Sequence, residues 1–281
     1  MINYKEVTPK APQLLAYIQS YTYSIGSLNE TDAKFITRAL PTVMTQLYFE
    51  FEGGLSAIET NGKRVEVAKR TYISCGLSSW MDIYQIGSQQ KTRAIKNFKV
   101  ELYPHTLFEV FGISPIEVMN EDLSLVDIFG LSDASVLYEE LEASDDGEKM
   151  IEIFEKYFIN RLLKKTIKQN TLTPHLLNSS QSIKLLAEET GYSQRWIQKQ
   201  CRETMGVSLK KIQNNKRFLK ILDNIHRKVL SGEEKINFTQ LVYEGNYYDQ
   251  AHFIREFKQN TGMTPSLYLS QKYQHLVSFF W

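Results

Sequence analysis

The chain has almost no cysteine. Its two, Cys75 and Cys201, stand far apart in 281 residues, so two buried thiols in a reducing compartment are expected rather than a disulfide framework. Long apolar runs are missing too. None reaches the roughly 18–20 residues that span a bilayer, so no membrane partner is expected. The opening MINYKEVTPK lacks the apolar core of a secretory signal, which makes the cytoplasm the expected location. Histidine is scarce: of His105, His175, His226, His252 and His275, only His105 falls in or just beyond the β-rich first part. A metal-dependent cupin-like enzyme needs a cluster of His and carboxylate ligands, which one histidine does not supply. GxSxG, P-loop and GxGxxG patterns in strand-helix context are also missing. No catalytic residue, metal or cofactor is expected, and an enzyme is the weakest function class.

What is present fits a soluble globular protein of two domains: 42% of residues are hydrophobic and 23% charged. The net charge of +1 is unevenly spread. Between Ser182 and Lys272, fifteen Lys/Arg stand against nine Asp/Glu, a balance of +6 that leaves the remainder at −5. Such an imbalance suits a polyanion meeting one half only, and equally suits an ordinary solvated surface.

The expected fold class is α+β: a β-rich barrel or sandwich with flanking helices, then an all-α domain. The runs 43–51, 55–59, 65–74, 80–86 and 93–103 are strand candidates, with Gly53-Gly54 and Gly87-Ser88 as turns. In the last run Ile95, Phe98, Val100 and Leu102 alternate with polar residues, as in a half-covered strand. Ala11 to Tyr23 is expected as a helix packed on these strands. After Pro104 the period changes. Thr106 to Phe111 reads as helical, Pro115 opens another short segment, and Asp146 to Thr166 is a longer helix with Ile151, Phe154, Phe158 and Leu162 on one stripe. The domains are placed at 1–168, a linker at 169–181, and 182–281.

The last third carries a repeated pattern of helix, Gly-aromatic turn, Ser or Asp cap, and helix. TGYSQRWIQKQCRETMGVS (Thr190 to Ser208) parallels NYYDQAHFIREFKQNTGMT (Asn246 to Thr264). Two helices joined by a tight turn make a helix-turn-helix, whose second helix fits a major groove. In the first unit Ile197 and Cys201 face inward, while Arg195, Gln198, Lys199 and Arg202 share the outer face. In the second, Phe253 and Phe257 face inward, and Gln250, Ala251, Ile254 and Arg255 face out. Arg and Lys suit guanine edges, Gln suits adenine, and Ala and Ile suit thymine methyl groups. A helical bundle with basic outer faces and no nucleic-acid role explains the same pattern. So does Arg255 paired with Asp249 or Glu256. Trp196 is left open between packing on its domain and stacking on a sugar-phosphate backbone.

The segment Leu241 to Tyr268 closely resembles the signature of the AraC/XylS family of bacterial transcription regulators. The resemblance rests on Tyr247, Asp249, Gln250, Ala251, His252, Phe253, Arg255, Phe257, Lys258, Gly262, Thr264, Pro265 and Tyr268. The first unit is similar to that family's more variable motif through Leu186, Ala187, Gly191, Tyr192, Ser193, Ile197, Gly206 and Ser208. The chain departs from the pattern at Asn246 (usually Gly), Val242 (usually Ala), Leu269 (often basic) and Cys201 (usually Phe). The resemblance implies two helix-turn-helix units joined by one long helix, about Ser208 to Val229, with their recognition helices in adjacent major grooves. By position, Arg195, Gln198 and Lys199 then read one groove, and Gln250, Ala251, Ile254 and Arg255 the other. Ser193 and Arg202 contact phosphate, as do the capped helix starts, and His252 is a structural residue.

The first half resembles, more faintly, the β-rich N-terminal domains attached to such modules; the stretch Val100 to Gly130 looks like one uncharacterised class of them. The resemblance implies sensing of a small-molecule effector, dimerisation, or both. Tyr48, Phe49, Phe51, Tyr72, Trp80 and Tyr84 are either pocket lining or plain core. Double-stranded DNA is the expected partner. A small-molecule effector, RNA polymerase and a second copy of the chain stay open, as does a protein-interaction module that keeps the fold without binding DNA. The apolar end HLVSFFW is expected to dock on a surface.

Overall fold

A computed structural model of the chain describes residues 2–29, 36–52, 56–60, 63–67, 71–77, 79–85, 92–119, 122–164, 172–178, 181–231 and 236–270. The expected turns at Gly53-Gly54 and Gly87-Ser88, and the apolar end HLVSFFW, lie outside the described residues.

The first part holds two antiparallel sheets. Strands β1 (Ile2–Val7), β2 (Ile18–Asn29), β3 (Ile36–Ala39), β4 (Thr42–Glu52), β5 (Ser56–Thr60), β6 (Lys63–Val67), β7 (Thr71–Leu77), β8 (Met81–Gln85), β9 (Thr92–Leu102) and β10 (Asp122–Leu123) are ordered β1-β2-β9-β4-β7-β10 and β3-β8-β5-β6. Helices α1 (Leu125–Phe129), α2 (Leu131–Glu142) and α3 (Gly147–Lys164) follow, then α4 (Thr173–Asn178), α5 (Ile183–Thr190), α6 (Gln194–Met205), α7 (Leu209–Leu230), α8 (Phe238–Glu244), α9 (Gln250–Thr261) and α10 (Pro265–Leu269). The α+β class and its order, sheet first and helices after, are as the sequence implied.

Several local expectations need correction. Ala11 to Tyr23 is not a helix: a single 3₁₀ turn at Pro12–Leu14 is followed by β2. Tyr21, Thr22, Tyr23 and Ile25 are aromatic and β-branched, types that favour strands, and Tyr21 pairs with Val100 at the centre of the larger sheet. The run 65–74 is divided between β6 and β7. The short segment that Pro115 opens consists of turns, and Thr106 to Phe111 is helical but wound as a π-turn ending at left-handed Gly112. Helices α1 and α2 were not foreseen. Segment 169–181, expected as a linker, contains α4, and Leu172 and Leu176 are buried among the residues of α5, α6 and α7.

One face of the larger sheet is an aromatic core. Tyr21, Phe49 and Phe98 pack with Phe154 of α3 at ring separations of 6.1–6.4 Å. This decides between the two readings of the strand aromatics for Phe49 and Phe51, which are core; the side chains of Tyr72 and Tyr84 lie outside the description. The opposite face is not open to water as the alternation in β9 suggested. Lys99 and Glu101 are buried there, 3.9 Å apart, and Glu101 also accepts from Gln46 at 2.7 Å. Burial of charge is tolerable because the groups are paired.

The sheets touch the helical part at defined joints. Arg38 of β3 forks onto Asp82 of β8, with Nε and Nη2 donating to the two carboxylate oxygens at 2.6 and 2.7 Å. Its Nη1 donates to the Thr261 carbonyl at the end of α9 (2.7 Å), and its guanidinium lies 4.0 Å from the Trp80 ring centroid. Asn215 of α7 donates to the Pro41 carbonyl at 2.8 Å, and Thr173 of α4 donates to Glu109 at 2.7 Å. The Arg38 and Asp82 side chains are only 13% and 12% exposed. Arg38→Ala therefore strands a buried carboxylate, and a stability loss of about 3 kcal/mol is expected in urea unfolding. Arg38→Lys recovers only part, because an ammonium cannot reproduce the fork.

His105 sits 2% exposed with Nε2 2.9 Å from the Ala16 carbonyl, and burial pulls its pKa down to about 4. The unfolded chain, titrating near 6.5, then binds more protons than the fold between these values. The contribution is complete above about pH 6.5 and is lost as pH falls toward about 4, to the extent of about 3 kcal/mol. Unfolding midpoints measured across this window are expected to drop less for His105→Gln than for the parent chain.

Candidate nucleic-acid interface

Each helix of the last third begins and ends where its sequence dictates. Ser182 caps α5, Ser193 caps α6, and Ser208 caps α7. Asn237 caps α8, and Asp249 caps α9. In each case a side-chain oxygen accepts a backbone N–H of the first turn, as in Ser193 from Trp196 (3.2 Å) and Asp249 from His252 (2.6 Å). Asn246, with φ of +51°, is the only non-glycine residue in the left-handed region among the described residues. The turn between α8 and α9 thus survives its departure from glycine. The motif Gly262-x-Thr264-Pro265-x-x-Tyr268 has a physical reading at each position. Gly262 stops α9 at φ +75°, Thr264 caps α10 and Pro265 opens it. Tyr268 is buried with its hydroxyl 2.6 Å from His226.

Two small cores hold the recognition helices. Ile197, Cys201 and Met205 of α6 are buried with Leu186, Leu209 and Ile212. The Cys201 thiol donates to the Val207 carbonyl, and burial raises its pKa to about 12, so it is an inert packing thiol. Phe253 and Phe257 of α9 are buried with Phe218, Leu241 and Tyr268; Val242 joins this core, and Leu269 packs at its edge.

The opposite faces are exposed. On α6 these are Arg195, Gln198, Lys199 and Arg202, with Ser193 exposed at its start; on α9 they are Gln250, Ala251, Ile254 and Arg255. The structure thus groups the four residues of each unit as the spacing required. Arg195, Arg202 and Arg255 have no ion-pair partner among the described residues. Lys199 has Glu203 at 3.6 Å, an exposed i,i+4 pair that is weak. The competing pairing of Arg255 does not form: Asp249 caps the helix, while Glu256 accepts from Arg217 (2.5 Å) and the Tyr247 hydroxyl (3.1 Å). His252 lies beside Tyr247 and 3.6 Å from Glu256, inside its own unit. Trp196 stacks on Tyr192 at 4.0 Å and packs against its core, in favour of the packing alternative.

Three exposed aromatics flank the recognition helices, and of these Tyr243 and Tyr248 were not singled out in the sequence. Tyr192 is 41%, Tyr243 77% and Tyr248 93% exposed, and Tyr192 and Tyr248 stand one residue before the cap of each recognition helix. The repeat itself was the signal, since the two tyrosines hold equivalent positions in it.

The comparison that decides the type of domain is a family model described as a helix-turn-helix domain, which matches residues 186–271. The carboxy-terminal part of this chain is an AraC-type helix-turn-helix domain. A domain of this type supports reading the chain as a DNA-binding transcription regulator. No curated protein matches the sequence. Similar solved structures include ToxT from Vibrio cholerae, at 14% identity over 89% of this chain and 97% of that one, with a TM-score of 0.42. ToxT with an unsaturated fatty acid bound gives 14% identity, 89% and 94% coverage and a TM-score of 0.42. The AraC-like transcriptional activator CuxR gives 10%, 82%, 87% and 0.28. Among the described residues no helix is long and apolar enough to cross a membrane, and no three His, Cys, Asp or Glu gather as a metal site. In the AraC-type domain, Asp249→Ala removes the cap of α9. A loss of about 1 kcal/mol is expected in thermal or urea unfolding, with Asp249→Ser keeping most of it.

Proposed function

We propose that the chain is a sequence-specific regulator whose α6 and α9 enter adjacent major grooves of one duplex. Arg195, Gln198 and Lys199 read base edges in one groove, and Gln250, Ala251, Ile254 and Arg255 read them in the other. Ser193 and Arg202 contact phosphate. The observation that carries this reading is the pairing of a buried face with an exposed one on each helix. The exposed arginines have no partner among the described residues. An exposed Ile254 beside Ala251 is poor solvent chemistry but matches a thymine methyl group. The capped helix starts add unpaired N–H groups and a favourable dipole for phosphate. Residues 1–168 are proposed as a sensory or dimerisation part responding to a small-molecule effector. RNA polymerase and a second copy of the chain are its proposed protein partners.

Fluorescence anisotropy with DNA selected for binding tests the reading. Arg195→Ala and Arg255→Ala are each expected to weaken the selected site by about 1–3 kcal/mol and to relax preference at the positions they read. Arg202→Ala is expected to weaken all sequences alike and to lower the salt slope by about one. A slope near zero in the parent chain would instead favour a protein-interaction module.

A further inference from the structure

The two recognition helices meet the long helix α7 in different ways. α6 runs into α7 through the turn Gly206-Val207-Ser208, so the chain itself constrains their angle. α9 is separated from α7 in sequence by α8. Its placement on α7 has to come from side chains. One contribution is apolar: Phe218 and Leu222 of α7 are buried with Phe253 and Phe257 of α9. Such packing resists separation but has no direction.

The other contribution is polar and directed. Arg217 of α7 donates from Nη2 to Glu256 of α9 at 2.5 Å, and the other carboxylate oxygen accepts from the Tyr247 hydroxyl at 3.1 Å. The Arg217 guanidinium lies 4.4 Å from the centroid of the same tyrosine ring. Burial raises the Tyr247 pKa, so the hydroxyl stays a donor. The Arg217 and Glu256 side chains are 25% and 14% exposed. Further along α7, Asn224 donates to Glu244 at the end of α8. Between these points Gly245 comes so close to Ile221 that an added Cβ would strike it. Arg217, Ile221 and Asn224 follow the i, i+4, i+7 spacing of one helix face. The second unit therefore rests on one stripe of α7 with a polar contact at either end, one to α9 and one to α8. Two such points constrain rotation as well as distance. A slide of one turn, roughly 5 Å, would set the Glu256 carboxylate against Ile221, mostly buried and without its cation.

We infer that the Arg217–Glu256 pair, with Tyr247, is a positioning clamp that sets the spacing of the two half-sites, one under α6 and one under α9, that this chain accepts on DNA. Neither residue of the pair belongs to the reading face. Glu256 directly follows Arg255 in α9, so a rotation that breaks the clamp also re-aims that face. One base pair moves a half-site by about 3.4 Å and about 35°. An undirected apolar seat can follow such a shift, and a directed pair cannot. The inference rests on the two-groove reading above.

The full chain and its variants are titrated by fluorescence anisotropy with the selected duplex and with duplexes carrying one base pair more or fewer between the half-sites. The parent is expected to bind either altered duplex at least about tenfold more weakly, the effect of one or more lost base contacts. Arg217→Met combined with Glu256→Gln removes both charges together, so neither stays buried alone. The methionine keeps packing on the Tyr247 ring, and the glutamine oxygen still accepts the tyrosine hydroxyl. In this double variant the spacing penalty should shrink to within about threefold, with weaker binding to the selected duplex. Arg217→Lys keeps the charge without the planar guanidinium, and its penalty should fall between the two. A pair that only stabilises the fold acts through the folded fraction and lowers binding to all three duplexes by one factor. An unchanged spacing penalty in both variants therefore overturns the clamp and leaves the DNA reading intact. So does a parent that binds all three duplexes alike. A parent that binds no duplex overturns the two-groove reading and the clamp with it.

Discussion

A recognition helix can offer a polar face to a partner only if its other face is held down. Helices of twelve residues are marginal alone in water, and both α6 and α9 are that length. Their stability has to come from burial. Phe253 and Phe257 stand 5.7 Å apart edge to face, with Tyr268 5.3 Å beyond, and each fully buried phenylalanine contributes about 1.5–3 kcal/mol. Ile197 and Cys201 do the same work for α6. Once the inner faces carry the folding free energy, the outer residues are free to be chosen by what they touch. That is why Ala251 and Ile254 can remain exposed beside Gln250 and Arg255.

The two helices are held at one end by the first part of the chain. Gly206, which stops α6, is so close to Pro115 that an added Cβ would come within 2.9 Å of it. Gly262, which stops α9, is covered by the Trp80 ring at 2.5 Å from the same imagined atom, and Arg38 bonds the carbonyl just before it. Both glycines also have φ near +75°, a conformation that side chains resist. The capped starts stay exposed while the stops are docked. Any shift of the sheet region relative to α7 is therefore felt at the ends of both recognition helices.

Local chemistry was legible; long-range contact was not. Ser193, Asp249, Gly206 and Gly262 announced helix ends because caps and left-handed stops act within a few residues. The segment Ala11 to Tyr23 misled because a short apolar stretch suits helix and strand alike, and only pairing with β1 and β9 resolved it. Leu172 and Leu176 looked like residues of a polar linker until helices from elsewhere in the chain closed around them.

By itself the sequence determined the order of elements in the last third, the inward and outward faces of α6 and α9, and the type of domain they form. Periodicity and capping depend on neighbours within one or two turns, so they can be read without a fold. Tertiary structure alone decided that Arg38 bridges Asp82 to the end of α9 and that charged residues of β9 are buried. These features join residues far apart in the chain, and their energies come from the water that contact removes, which no local pattern records.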